Sequence, residues 1–173
     1  GRQTEGNLSA SVGDYNTQTL SGSLGGPVSD DLGLRVAVQQ HSSDGFVDND
    51  FLNRDDTNNI DELSLRSILA WQASDNTRIK LTVFHVNADN GYDAFSLDNS
   101  RRTLSDNPGH DRHEATAAAV QASWEGNQNF ALASTFSFAD NNLQYGFDED
   151  WTYADICVDF VCIYDGYASV DNY

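Results

Sequence analysis

"LGGPVSDDLGLRVAVQQHSSDGF", residues 24–46, sets two different kinds of connection on either side of one alternating run. Gly25-Gly26-Pro27 followed by Ser29-Asp30-Asp31 is turn chemistry: Gly and Pro set the backbone, and Ser and Asp bond their own chain a few residues on. Leu34, Val36 and Val38 then alternate with Arg35, Ala37 and Gln39, the two-residue period of a strand with unlike faces. Beyond that run, Asp44-Gly45 opens a long acidic stretch.

The same period recurs along the chain. It predicts seven strands at about residues 3–13, 17–26, 32–41, 62–72, 78–88, 115–125 and 129–139, and no helical period competes with it. Leu63, Leu65, Leu69 and Trp71 oppose Ser64, Arg66, Ala70 and Gln72; Phe130, Leu132, Phe136 and Phe138 oppose Ala131, Ala133, Thr135 and Ser137. The fold class is therefore all-β, an antiparallel up-and-down meander. Connections at 27–31, 73–77 and 126–128 are tight, whereas 42–61, 89–114 and everything after Asp140 are long. Of the 27 Asp and Glu residues, 21 fall in the segments 41–62, 89–114 and 140–173, so acid gathers at one end of the meander.

Composition narrows the classes further. Nine Lys and Arg against 27 Asp and Glu give a net charge of −18, which excludes a nucleic-acid partner, since phosphate neutralisation needs basic clusters. No run approaches the roughly 18–20 apolar residues of a membrane helix. Strands of about 9–11 residues with one apolar face do fit a membrane β-barrel, in which closure leaves no backbone group unpaired in hydrocarbon. Trp71 and Trp124 both end strands that run toward short turns, the place of a membrane-interface girdle. The pattern alone leaves open a soluble β-protein with both Trp in its core.

The block from Leu24 to Asn49 resembles the early barrel of the TonB-dependent receptors of Gram-negative outer membranes. The resemblance is carried by Gly26-Pro27-Val28-Ser29-Asp30, by Leu34-Arg35-Val36-Ala37 and by Asp44-Gly45-Phe46 with Asn49. "SVGDYNTQTLSGSLGG" before it and "SLRSILAWQASDNTRIKLTVFHV" after it are similar to flanking hairpins of that family. The resemblance implies that residues 1–140 are the first strands of a barrel of about 22 strands, with 141–173 an extracellular loop region. It also implies a larger receptor, with a plug inside the barrel and small residues such as Ala115, Ala117, Ala118 and Ala119 leaving room for it. The implied place is the cell outer membrane, and the implied partners are its lipid and lipopolysaccharide, the remainder of the barrel, the plug and, through the plug, the inner-membrane TonB complex. The implied activity is energised uptake of a scarce small-molecule nutrient, a ferric siderophore being the commonest cargo. Two other readings stand beside it: a structural or adhesive extracellular β-protein with acidic, calcium-binding loops, and a passive porin.

The loop 89–114 supplies the candidate ligand contacts Tyr92, Phe95, Arg101, Arg102 and Arg112, because Arg binds oxygens bidentately and stacks on rings. His110, Asp111 and His113 lack a defined ligand geometry, and "DNDFLNRDDTNNIDE" lacks calcium-loop spacing, so no metal is expected. Cys157 and Cys162 fit no zinc or redox spacing; in an oxidising place they are expected to form a small-loop disulfide. No nucleophile elbow, phosphate loop or dinucleotide fingerprint is present, so no enzyme and no cofactor are expected.

Overall fold

The computed structural model describes residues 3–172 apart from 94, 128, 155, 159, 160 and 163–165. The strands in chain order are β1 (Glu5–Val12), β2 (Gln18–Pro27), β3 (Leu32–Ser43), β4 (Asp48–Asn49), β5 (Ile60–Ser74) and β6 (Thr77–Tyr92). They continue with β7 (Arg102–Thr103), β8 (Gly109–Asn127), β9 (Phe130–Asp148), β10 (Cys157–Val158), β11 (Val161–Cys162) and β12 (Tyr167–Asn172). Eight of them form one sheet in the order β1-β2-β3-β5-β6-β8-β9-β12, each pair antiparallel and each neighbour next in line. This is an up-and-down meander, and it is open at β1 and β12.

Two expectations change. The sheet has eight strands rather than seven, and the stretch after Asn141 is not loop throughout: residues 141–148 continue β9, and β12 returns to pair with it. The strands also run further into the acidic segments than the hydrophobic period does, β6 to Tyr92 and β8 from Gly109. On β6 and β8 the apolar face turns polar there, and on β9 the apolar members change sides, Leu143, Tyr145 and Phe147 standing on the face of Ser137, while the ladder continues unbroken.

Register sorts the two faces. One rung reads Gly26-Leu34-Leu69-Leu81-Val120-Phe136, and the next Gly6-Leu24-Val36-Ser67-Val83-Ala118-Phe138. On the opposite face the rungs read Gly25-Arg35-Ile68-Thr82-Ala119-Ser137 and Ser23-Ala37-Arg66-Phe84-Ala117-Ala139. Ala118 thus lies on the apolar face, apart from Ala115, Ala117 and Ala119. Arg35, Arg66, Arg78 and Lys80 all lie on the polar face, and none has a carboxylate partner among the described residues.

Among the described residues, no second layer covers the apolar face. Leu24 is 63% and Phe136 72% exposed, while the only buried apolar residues described are Val47 and Ala115. From Leu63 to Trp71 the apolar band measures about 26 Å along the strand at the usual rise of about 3.3 Å per residue. Above it the same face turns polar along a staggered boundary, at Gln40 on β3, Asp61 on β5, His85 on β6, Thr116 on β8 and Asp140 on β9. At the lower end Trp71 and Trp124 sit on the apolar face one step apart, opposite Ile79 and Thr77, beside the short turns, and Phe130 meets the Trp124 ring edge-on at 6.0 Å.

Candidate functional site

At the upper end, four connections condense into one cap. The 44–59 and 93–108 loops are stitched by the parallel pair β4–β7, with Asp48 N–H donating to Arg101 O and Asp50 N–H to Thr103 O, both at 2.9 Å. Asp106 N–H donates to Thr152 O at 2.9 Å, which ties in the loop after β9, and Asp44 N–H reaches Tyr15 O in the β1–β2 turn at the same distance. Phe51 stacks on Tyr153 at 4.7 Å across two of these loops.

The centre of the cap is polar and buried. Asn49 is 1% exposed; its Nδ2 donates to Asp93 Oδ2 at 3.0 Å and to Ser105 O at 2.8 Å, while its Oδ1 accepts Leu52 N–H at 2.8 Å. Thr57 donates to the same Asp93 oxygen at 2.5 Å. Burial raises the Asp93 carboxyl above its ordinary value, and the hydrogen bonds from Thr57 and Asn49 work against that rise. Gly45, at φ +83°, turns the chain into this loop, and a Cβ there would overlap the backbone carbonyl of Asn58. Asn58 Oδ1 in turn accepts Phe46 N–H at 2.9 Å, which fixes the start of β4.

Asp148, above the apolar band and buried, has its carboxyl pushed up to about 6, burial being the largest cause and the Asp150 carboxylate adding to it. A raised carboxyl favours the protonated folded state, so its contribution is full below the ordinary value of 3.8 and is lost as pH rises through about 6. The cap is expected to gain about 1 kcal/mol between pH 7.5 and pH 5. Hydrogen exchange of cap amides checks this, and Asp148→Asn is expected to flatten the profile.

Five rings line the upper end of the polar face. Tyr92, Tyr145 and Phe147 project from β6 and β9 on the same side as Lys80 and Thr135, by register. Tyr92 and Tyr145 lie 4.9 Å apart between ring centres, Tyr145 and Phe147 5.9 Å, Tyr92 and Phe95 5.9 Å, and Phe95 and Phe147 6.5 Å. Trp151 stacks on Phe95 at 5.1 Å and 17°. Burial and the neighbouring Tyr92 push the Tyr145 hydroxyl up to about 12, so it stays protonated and able to donate. Trp151 holds a left-handed backbone, φ +61°, that a bulky residue rarely adopts. Asp148 Oδ1 accepts the N–H groups of Asp150 and Trp151, at 3.1 and 3.2 Å, and Asp150 Oδ1 accepts that of Thr152 at 3.0 Å, which together impose the conformation.

The expected ligand contacts therefore divide. Tyr92 and Phe95 meet in this array. Arg101 lies 5.6 Å over the Phe46 ring and donates to Tyr15 OH at 2.9 Å, some distance along the cap. Arg102 is held by Asp50, with Asp48 at 3.6 Å. Arg112 pairs with Asp89 at 2.6 Å on the opposite face of the sheet. Tyr145, Phe147 and Trp151 escaped the sequence reading, although Tyr145 and Phe147 are two residues apart, the spacing that keeps neighbours on one strand face.

His110 and His113 lie on opposite faces by strand alternation, so one ion cannot take both. His110 Nδ1 instead lies 3.2 Å from Tyr167 OH, and no group of three or more metal-binding side chains occurs among the described residues. Cys157 and Cys162 are direct partners in the β10–β11 ladder. Cross-strand partners stand about 4.5–5.5 Å apart between Cα atoms, within disulfide reach. Iodoacetamide is expected to add mass to the chain only after reduction; two adducts without reductant would mean two thiols.

No protein-family model matches this chain. No solved structure matches it. The cap and the array are therefore read on their own geometry.

Proposed function

We propose that this chain is a wall segment of a TonB-dependent outer-membrane receptor that takes up a scarce nutrient, with a ferric siderophore as the cargo type the sequence resemblance brings. The observation that carries the proposal is the uncovered apolar band of about 26 Å, closed off above by polar rungs and below by Trp71 and Trp124. A soluble sandwich covers such a face with a second sheet; a barrel presents it to lipid. Under this reading the eight strands belong to a barrel of about 22, and β1 and β12 pair with further strands, since an open edge leaves backbone groups unpaired in hydrocarbon. Arg35, Arg66, Arg78 and Lys80 then face the interior, where water or the plug meets them. The cap stands on the extracellular side and carries the ligand contacts, and the plug moves when the inner-membrane complex supplies energy.

Bromine-labelled acyl chains test the placement. In vesicles, they are expected to quench Trp71 and Trp124 but not Trp151, and aqueous iodide is expected to do the reverse. Iodide quenching of Trp71 and Trp124 with no effect of bromolipid would overturn the membrane reading. Uptake of a radiolabelled ferric chelate, expected to cease in cells lacking the inner-membrane energising complex, tests transport separately.

A further inference from the structure

The charges around the aromatic array define what it can hold. We infer that the ligand of the array is a flat molecule, uncharged or cationic, recognised by ring stacking, and not an anion; this rests on the receptor reading above. Phe95 and Trp151 remain 38% and 37% exposed while stacked, so the array offers a ring edge and face to a ligand rather than being closed on itself.

The four arginines of the upper end are engaged elsewhere. Arg101 covers Phe46, Arg102 is held by Asp50, Arg54 by Asp56 at 2.8 Å, and Arg112 faces away with Asp89. Arg35, Arg66, Arg78 and Lys80 share the array's face but lie toward its lower end, and the charge beside the rings is negative: Asp111 is the direct cross-strand partner of Tyr145 on one side and of Asn90 on the other. An anion brought to these rings meets a carboxylate with no guanidinium to offset it, in a chain of net charge −18. A cation gains from the ring faces and from Asp111 together.

The strained backbone of Trp151 supports the assignment. A left-handed tryptophan is unfavourable where glycine would fit, and three backbone N–H groups donating to two carboxylates hold it there against Phe95. The ring is therefore set in place before any ligand arrives, which lowers the ordering cost of binding.

The test uses the full chain in detergent micelles and three probes of one ring size and different charge: 1-methylquinolinium, quinoline and quinoline sulfonate, at pH 7.5. Saturable quenching of Trp151, isolated in a Trp71→Phe/Trp124→Phe background, is the readout. The cation and the neutral ring are expected to half-saturate at concentrations at least about tenfold below the sulfonate. Asp111→Asn is expected to weaken the cation severalfold and leave the neutral ring unchanged, and Phe95→Ala to weaken both while cap hydrogen exchange stays intact. Equal or tighter binding of the sulfonate, no saturable quenching by quinoline or 1-methylquinolinium, or quenching indifferent to Phe95→Ala would overturn the inference. The titration involves no transport. The predicted charge order with energy-independent uptake would therefore leave the inference standing and remove the receptor reading alone.

Discussion

Phe136→Arg is expected to destabilise the chain in lipid vesicles by about 2–4 kcal/mol, whereas Ser137→Arg, one residue on, is expected to cost less than about 1 kcal/mol. Phe136 lies inside the apolar band, on the rung of Leu69, Leu81 and Val120, and Ser137 on the opposite face beside Ala119. In hydrocarbon the guanidinium at residue 136 has no partner and only water defects to solvate it, so the cost is greatest near mid-depth. In water the outcome inverts: a residue already 72% exposed can be replaced by a charge within about 0.5 kcal/mol. Urea unfolding in vesicles, read against the wild-type midpoint, separates the two. Equal, small effects at both positions would mean that the apolar face does not meet lipid.

Asn49→Ala is expected to remove about 3 kcal/mol from the cap and nothing measurable from the band. The side chain makes three hydrogen bonds in a site with no water access, and its loss leaves Ser105 O and Leu52 N–H without those partners. Asp93 retains Thr57, so the loop does not collapse outright. The β4–β7 pair is expected to open, with amides at 48–50 and 101–105 exchanging faster and Trp151 becoming more accessible to iodide. Unchanged exchange there would show that the loops are held by their ring contacts alone. Asn49→Asp is a sharper variant, because it sets a second carboxylate against Asp93.

The sheet was legible because its information is local. Alternation in Leu34–Gln39 and Leu63–Gln72 marks both strand and face, and Pro27-Val28-Ser29-Asp30 marks the turn between neighbours. The upper extensions of β6 and β8 were not legible, since polar residues on the formerly apolar face erase the contrast on which a period depends. In β9 the contrast changes faces after Phe138, with Leu143, Tyr145 and Phe147 opposite Phe136 and Phe138. The cap is harder still. Asn49 sits in the stretch that carries the family resemblance, yet its work is done with Asp93 and Ser105, 44 and 56 residues away. The arginines misled for the same reason: a guanidinium in a loop reads as free until the register shows Arg112 beside Asp89. In the sequence Ala118 is indistinguishable from Ala117 and Ala119, because small residues carry little facial contrast.

The length of the ladder has one more consequence. β8 and β9 are 19 residues each, about 60 Å of strand, of which the apolar band uses less than half. The cap therefore stands on a stalk of paired backbone whose height can change only by even steps. Two residues added to each partner lift the array by about 6.6 Å with every side chain keeping its face. A single inserted residue in that stretch turns the upper half inside out, sending Tyr145 and Phe147 to the side of Asp89 and bringing Gln144 and Asp148 in. Parity, more than composition, protects the arrangement of the upper wall.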